Sequence, residues 1–401
     1  MARRSVLLVL AGIVLLSVNL RPAAVSVGPV LDELRDGLDM GPASAGLLTS
    51  LPVLAFAVFG ALAPAAAARL GPHRVTLLAL LGVVVGLAGR SVVRQETAFL
   101  ALSLVAVAGM AMANVLIPSL VRLHFPDRLG LMTALYTTSL AVGLTAAFLL
   151  TVPVADAFGS WRYGIGAWAV LAGVAALPWI PLVRHDETLE TPEREVRFGD
   201  VARTRLGWAM TLFFGLQSLM AYVVFGWFAT LWRDHGFGAG TASALVGIVA
   251  GMSIPLSLYL PQAVARPGDQ RWVLMLVMGC YPVAYTGLLV APHALAVLWA
   301  VVLGAALTTF PIVLTYIGLR TRTAGATAAL SGWTQSTGYL MAAAGPFGIG
   351  VLHDAVGGWT APLVVLLALS VPLFVVGLYV GRPAYLEDEL ALGTKVSTGS
   401  G

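Results

Sequence analysis

Charge is what this chain has least of. Only 10% of its 401 residues are charged, while 59% are hydrophobic and the mean hydropathy is +0.90. A soluble domain carries about 25% charged residues, so this composition excludes one and indicates a polytopic membrane protein. The single cysteine, Cys280, excludes an internal disulfide or a multi-cysteine metal site. The six histidines (His73, His124, His185, His235, His293 and His353) lie at or near the ends of apolar stretches. They suggest neither a histidine metal site nor an intramembrane general base. No paired-Asp, His–Asp or Ser/Lys arrangement falls within an apolar stretch, so neither an enzyme nor a cofactor is expected. Lysine is nearly absent: of 23 basic residues only Lys395 is one. That reads as genomic bias toward arginine, and the net charge of +4 reflects loop composition with no sign of a nucleic-acid partner. Acids are missing from mid-membrane altogether. All 19 fall in loops, tails or near span ends, the deepest being Asp156 and Asp354.

What is present is a series of twelve stretches of the roughly 20 apolar residues that a spanning helix needs. They cover approximately 5–31, 43–68, 74–93, 97–121, 131–155 and 161–183, then 206–232, 240–265, 272–291, 294–319, 325–352 and 359–381. Residues 1–20 have the outline of a signal peptide, but the apolar run continues to Leu31 and more spans follow, so it reads as the first span. The one long polar segment, 184–205, holds five arginines and six acids. The expected organisation is therefore an all-α membrane protein in two six-helix halves, 1–183 and 206–382. An inter-half loop, 184–205, joins them, and a disordered tail, 383–401, follows. With the N-terminus inside, 17 basic residues fall on the inner side. Five (Arg35, Arg90, Arg94, Arg162 and Arg233) fall on the outer side. This asymmetry places both termini in the cytoplasm. A bacterial inner membrane, a lipid partner and a monomeric chain complete the expectation.

Arg21 is the remaining basic residue, and the only charge in the apolar run from Ser5 to Leu31. A charge at such a position costs about 2.5–3.5 kcal/mol on insertion scales, and no acid lies deep enough to be its evident partner. Guanidinium is the natural partner of a planar anion, which favours a ligand there. Arg21 also precedes Pro22, and a residue before proline is disfavoured in regular helix, so a local break is expected. Counting the same number of residues from the inner surface puts Tyr222 of the seventh span level with Arg21, with Gln217 somewhat deeper. Asn19, Asn114, Tyr136, Trp333 and Gln335 are the other mid-span polar residues placed in a substrate site beside Arg21, Gln217 and Tyr222.

The halves resemble each other. Gly130-Leu-Met-Thr-Ala-Leu135 aligns with Gly325-Ala-Thr-Ala-Ala-Leu330, which sets Gly143 on Gly338. Asp156 and Trp161 have the same separation as Asp354 and Trp359, as expected of parallel six-span repeats.

The motifs Asn19-Leu-Arg-Pro22, Gly46-Leu-Leu-Thr-Ser-Leu-Pro52, Asn114-Val-Leu-Ile-Pro118, Phe125-Pro126, Gly215-Leu-Gln217-Ser218 and Gly332-Trp-Thr-Gln335 resemble the cyanate and 2-nitroimidazole transporter family of the major facilitator superfamily. The resemblance covers about Leu20 to Gly358. It implies movement of a small solute across the cytoplasmic membrane by alternating access, with proton or counter-anion coupling left open. The superfamily's loop between spans two and three normally carries an acid after Gly-x-Leu-Ala. Here Gly60-Ala-Leu-Ala63 is followed by Pro64, while Arg69, Gly71 and Arg74 are kept; the resemblance assigns Gly60, Arg69, Gly71 and Arg74 to gating. The expected function is transport of a small, polar, anionic solute. Efflux of nitroimidazole-like heterocycles or other drugs is the alternative within transport, and a ligand-sensing membrane receptor the alternative outside it.

Overall fold

The computed structural model describes residues 3–188, 196–267 and 271–391. The remainder of the central loop, and the tail from 392, lie outside the described residues. No strand occurs among the described residues. The principal helices are α1 (Arg3–Leu20), α2 (Pro42–Ala55), α3 (Pro72–Val92), α4 (Glu96–His124), α5 (Leu129–Ala157), α6 (Trp161–Ala176), α7 (Arg205–Asp234), α8 (Ala239–Val264), α9 (Arg271–Val290), α10 (Ala296–Ala306), α11 (Ala324–Val356) and α12 (Thr360–Val380). They follow the twelve expected stretches. Ten described stretches are long and apolar enough to cross a membrane. The sixth breaks after Ala176 and resumes at Trp179–Leu182, and the eleventh, α11, is continuous but rich in Gly, Ser, Thr and Gln. α2 passes through a π turn, Phe56–Gly60, into Ala61–Leu70, and α10 breaks at Leu307–Thr308 before Thr309–Leu319.

The chain forms two compact units. The first comprises Met1–Pro126, Leu135–Phe198 and Thr323–Gly332; the second comprises Asp127–Ala134, Gly199–Arg322 and Trp333–Gly401. Relative to the expected division, the starts of α5 and α11 are exchanged. The first unit holds the start of α11 by two side-chain hydrogen bonds. Ser119 Oγ donates to Ala324 O at 2.7 Å, and Ser331 Oγ donates to Val115 O at 2.7 Å. Gly332 lies so close to Pro64 that an added Cβ would stand 2.6 Å from its ring. In the second unit Gly130 packs against the backbone of Pro261 and Gln262 in the same manner.

Two differences from expectation concern charge and the tail. Arg90 is not at the outer surface: it is 1% exposed within the first unit, where its Nη2 donates to Ser26 Oγ at 3.0 Å. Its Nε is buried without a hydrogen-bond partner among the described residues. Residues 386–391, expected in a disordered tail, are helical. They dock because Leu386 N donates to Arg320 O, Arg322 N to Glu387 Oε1, and Leu206 N to Glu389 Oε2.

Candidate functional site

The helix is interrupted at Arg21, although the Arg21 backbone keeps helical angles (φ −81°, ψ −40°) and does not leave that region as the proline rule leads one to expect. α1 ends at Leu20, Arg21 is a turn residue, and a four-residue helical segment Pro22–Val25 follows. The cause is covalent. Pro22 has no N–H, so the carbonyl four residues earlier, Val18 O, loses its intrahelical donor. α5 uses that gap: Gly143 lies against Val18, and an added Cβ would stand 1.9 Å from Val18 O. Only a glycine lets the two backbones approach so closely.

One residue beyond Val18, Asn19 is 1% exposed, and neither Oδ1 nor Nδ2 has a hydrogen-bond partner among the described residues. A buried polar group left unsatisfied costs about 1–3 kcal/mol. Natural structures keep few of these, mostly where a ligand, water or strain explains them. Arg21 itself is half-buried. Asn114 on α4 and Tyr136 on α5 are both buried in the same unit. With Gly143 set on Val18, and spans one and five running the same way, Tyr136 lies level with about Ala11. That is roughly 12 Å along α1 from Asn19 at 1.5 Å per residue. Asn19 and Arg21 are two residues apart in the chain, while Tyr136 stands two turns away from Asn19.

The second unit repeats the crossing. Gly338 of α11 lies on Phe214 and Gly215 of α7, where an added Cβ would stand 2.6 Å from Phe214 Cδ1 and 3.3 Å from Gly215 N. This register corrects the depth pairing. If Gly215 corresponds to Val18, the counterpart of Arg21 is Ser218, with Gln217 beside it, and Tyr222 lies one turn farther on. Gln217 is 0% exposed; its Nε2 donates to Ser218 Oγ at 2.6 Å and its Oε1 has no hydrogen-bond partner among the described residues. Each unit therefore carries a buried amide with an unused acceptor at the same level of its α1- or α7-type helix.

Tyr222 is partly exposed and joins an aromatic group that sequence alone did not assemble. Its ring is 6.2 Å from Tyr339, which lies 5.0 Å from Phe214, itself 6.0 Å from Phe310. Tyr339 occupies the position after the crossing glycine, a signal available only once that crossing is known. Trp333 packs instead against Trp208, 5.3 Å away. Trp208 precedes Gln217 by nine residues on α7, about 13 Å, so Trp333 belongs to another level. Gln335 is fully buried in α11.

The residues assigned to gating surround a site that the sequence reading missed. Gly71 has φ +92°, and an added Cβ would stand 2.2 Å from Asp186 Cγ. Its lack of a side chain admits the Asp186 carboxylate to the start of α3. There Asp186 accepts Arg74 N–H at 2.8 Å and His73 N–H at 3.3 Å. A carboxylate at a helix N-terminus is favourable both for the unsatisfied N–H groups and for the helix dipole. The acid absent after Ala63 thus has a counterpart brought from the central loop. Arg69 is exposed, Gly60 is buried in the π turn, and Arg74 is half-buried.

Comparison with known proteins agrees with this architecture. Residues 7–346 match the family model of the Major Facilitator Superfamily. The chain is 33% identical over 379 residues to the 2-nitroimidazole transporter of Escherichia coli (strain K12), covering 94% of this chain and 96% of that one. It is 28% identical over 356 residues to the cyanate transport protein CynX of the same organism, covering 86% and 90%. The fold is similar to that of the proton:xylose symporter XylE (TM-score 0.75, 12% identity, 98% of this chain and 99% of that one).

Proposed function

Because this chain belongs to the Major Facilitator Superfamily and is a multi-pass membrane transporter, we propose that it carries a small planar anion, with Arg21 as the group that binds it. The observation that carries the reading is the surroundings of Arg21. It is the sole charge in the run from Ser5 to Leu31, it stands where Pro22 interrupts the helix, and Asn19, two residues before it, keeps an amide buried without a hydrogen-bond partner among the described residues. A guanidinium offers two parallel donors to a planar anion, and the Asn19 amide supplies a donor and an acceptor beside it. Gln217 and Ser218 hold the corresponding position on α7 within the second unit. Asn114, buried on α4 of the same unit, is assigned a supporting position. Alternating access, with Gly60, Arg69, Gly71 and Arg74 acting in the gate, moves the solute across a bacterial inner membrane. The arginine asymmetry of the loops supports cytoplasmic termini.

Uptake of labelled cyanate by proteoliposomes containing the parent or Arg21→Ala tests this reading. Uptake by the parent that Arg21→Ala abolishes is the expected result. Running the assay with and without a proton gradient decides between coupled and uncoupled movement, and an absence of any flux would point to a sensing role.

A second reading, movement of planar nitroheterocycles, is favoured by one observation: the Phe214, Tyr222, Phe310 and Tyr339 rings gathered on α7, α10 and α11 beside Gln217. One relative is named for 2-nitroimidazole. Under this reading Tyr339→Ala weakens heterocycle transport while leaving cyanate uptake largely intact.

A further inference from the structure

The first unit contains a buried hydrogen-bonded chain of titratable groups that plays no part in the Arg21 site. His73, at the start of α3, is 0% exposed. Its Nδ1 lies 2.6 Å from Asp186 Oδ1, and its Nε2 lies 2.8 Å from His124 Nε2, at the last residue of α4. The two imidazoles meet edge to face with centroids 5.0 Å apart, and Trp179 covers His73 at 6.2 Å. The chain thus joins the start of α3, the end of α4 and the segment Val183–Thr188 that leads into the central loop.

Hydrogen counting fixes what this arrangement tolerates. Asp186 is an acceptor, so His73 Nδ1 carries a hydrogen and donates it. Two facing Nε2 atoms at 2.8 Å hold one hydrogen between them. With both rings neutral, His124 Nε2–H donates to His73. With one excess proton, the His73 imidazolium donates both ways, to Asp186 and to His124, and the carboxylate stabilises its charge. A second excess proton would put two hydrogens and two like charges into the same gap. The joined state therefore holds at most one excess proton, whereas separated rings hold two. The charged groups on the surrounding elements add to this limit. Arg69 ends the segment before α3, Arg74 and Arg122 flank the pair on α3 and α4, and Arg184 precedes Asp186. The Trp179–Leu182 segment has no titratable group, and α1, packed on it, has none from Ser5 to Asn19. The segment that carries Asp186 also holds His185 and Glu187 beside it in sequence.

We propose that the His73–His124 pair is a proton-binding site whose second proton parts the end of α4 from the start of α3, making the loop after His124 sensitive to pH. By linkage, a state that binds one proton more is favoured by up to tenfold per unit of pH fall, so the join weakens as the pH falls.

Amide hydrogen exchange on the full-length protein in detergent, corrected for the intrinsic pH dependence of exchange, tests the proposal. The readout is the last turn of α4, where Phe125 N donates to Val121 O. In the parent, protection of this turn should fall by up to about tenfold between pH 6.5 and 5.5. In His124→Gln it should not fall. The glutamine oxygen accepts from the His73 imidazolium, and its amide donates to the neutral ring, so either protonation state keeps the join. Unchanged protection in the parent between the two pH values overturns the proposal, and this measurement needs no variant. An equal fall in parent and His124→Gln overturns it as well.

Discussion

Replacing Gly143 by alanine is the most exacting test of how the first unit is packed. The added methyl would stand 1.9 Å from Val18 O, 2.8 Å from Val18 C and 3.0 Å from Val18 Cα. All three neighbours are backbone, so no side chain can rotate away. Ordinary contact begins near 3.4 Å, so α5 must move from α1 by roughly 1.5 Å at this point. Overpacking of this kind costs about 1–3 kcal/mol, and the absence of any flexible neighbour puts Gly143→Ala at the upper end. Glycine to alanine in a helix interior returns about 1 kcal/mol of intrinsic propensity. The net loss is therefore about 2 kcal/mol. Because membrane proteins often unfold irreversibly, the assay is the apparent midpoint and half-life on heating in detergent, compared at one scan rate. Gly173→Ala on α6 is the control: its added methyl meets nothing within 4 Å, so it should match or slightly exceed the parent. Gly338→Ala should be milder than Gly143→Ala, because its tightest neighbour is the Phe214 ring, which can turn, and the backbone atoms stand at 3.3 and 3.4 Å. Should Gly143→Ala melt with the parent and with Gly173→Ala, the close crossing beside Asn19 is wrong, and the level assigned to Gln217 and Ser218 falls with it.

Three further outcomes follow from particular contacts. Arg320 Nε and Nη2 donate to Val380 O and Gly381 O at 2.9 and 3.0 Å, closing the C-terminal end of α12. Charge-assisted bonds of this kind contribute about 1.5–3 kcal/mol, so Arg320→Ala should lower the thermal midpoint markedly while Arg320→Lys recovers only part. Arg322 bonds to Asp388 and holds that carboxyl below the usual carboxylate range. A depressed folded-state value contributes stability that is present at neutral pH and lost as pH falls through it. Release of the 386–391 segment, read by proteolysis, should therefore rise in acid in the parent, and Arg322→Ala should weaken that acid dependence. Arg90 is buried with a serine hydroxyl as its recorded hydrogen-bond partner. Burying a charge costs several kcal/mol, and one neutral hydroxyl offsets little of it, so Arg90→Met should melt no lower than the parent.

How much was legible in the sequence differs from feature to feature. The interruption at Arg21 was, because Pro22 lacks an N–H, but the expected departure of Arg21 from helical angles was not found. The twelve helices were, because span length and apolar content are local. The register between α1 and α7 was not. Counting from Arg4 and Arg205 matches Tyr222 with Arg21, whereas matching the glycine crossing within each unit makes Ser218 the counterpart. Long arginine side chains reach the interface from more than one turn, so they mark depth only to within about one turn. Arg90 was read as an outer-surface residue for the same reason: four residues before Arg94, at the end of an apolar stretch, it has no sequence feature that distinguishes burial from exposure. The His73–His124–Asp186 chain was invisible because its members are 51 and 113 residues apart in sequence, and each alone looks like a polar residue at a helix end. Pro64 was seen as the loss of an acid. That Asp186 brings a carboxylate to the start of α3, through the space Gly71 leaves, depends on the central loop folding back.

The central claim is that Arg21 binds the transported anion. The most direct measurement is a thermal-shift screen of small anions and nitroheterocycles on the purified parent, repeated on Arg21→Ala. A ligand present at about 100 times its Kd stabilises the state it binds by about 2.7 kcal/mol, enough to raise the melting point visibly. The account predicts at least one planar anion that raises the parent's midpoint and leaves that of Arg21→Ala, itself folded and monodisperse, unmoved. Anions that stabilise both proteins equally would contradict it.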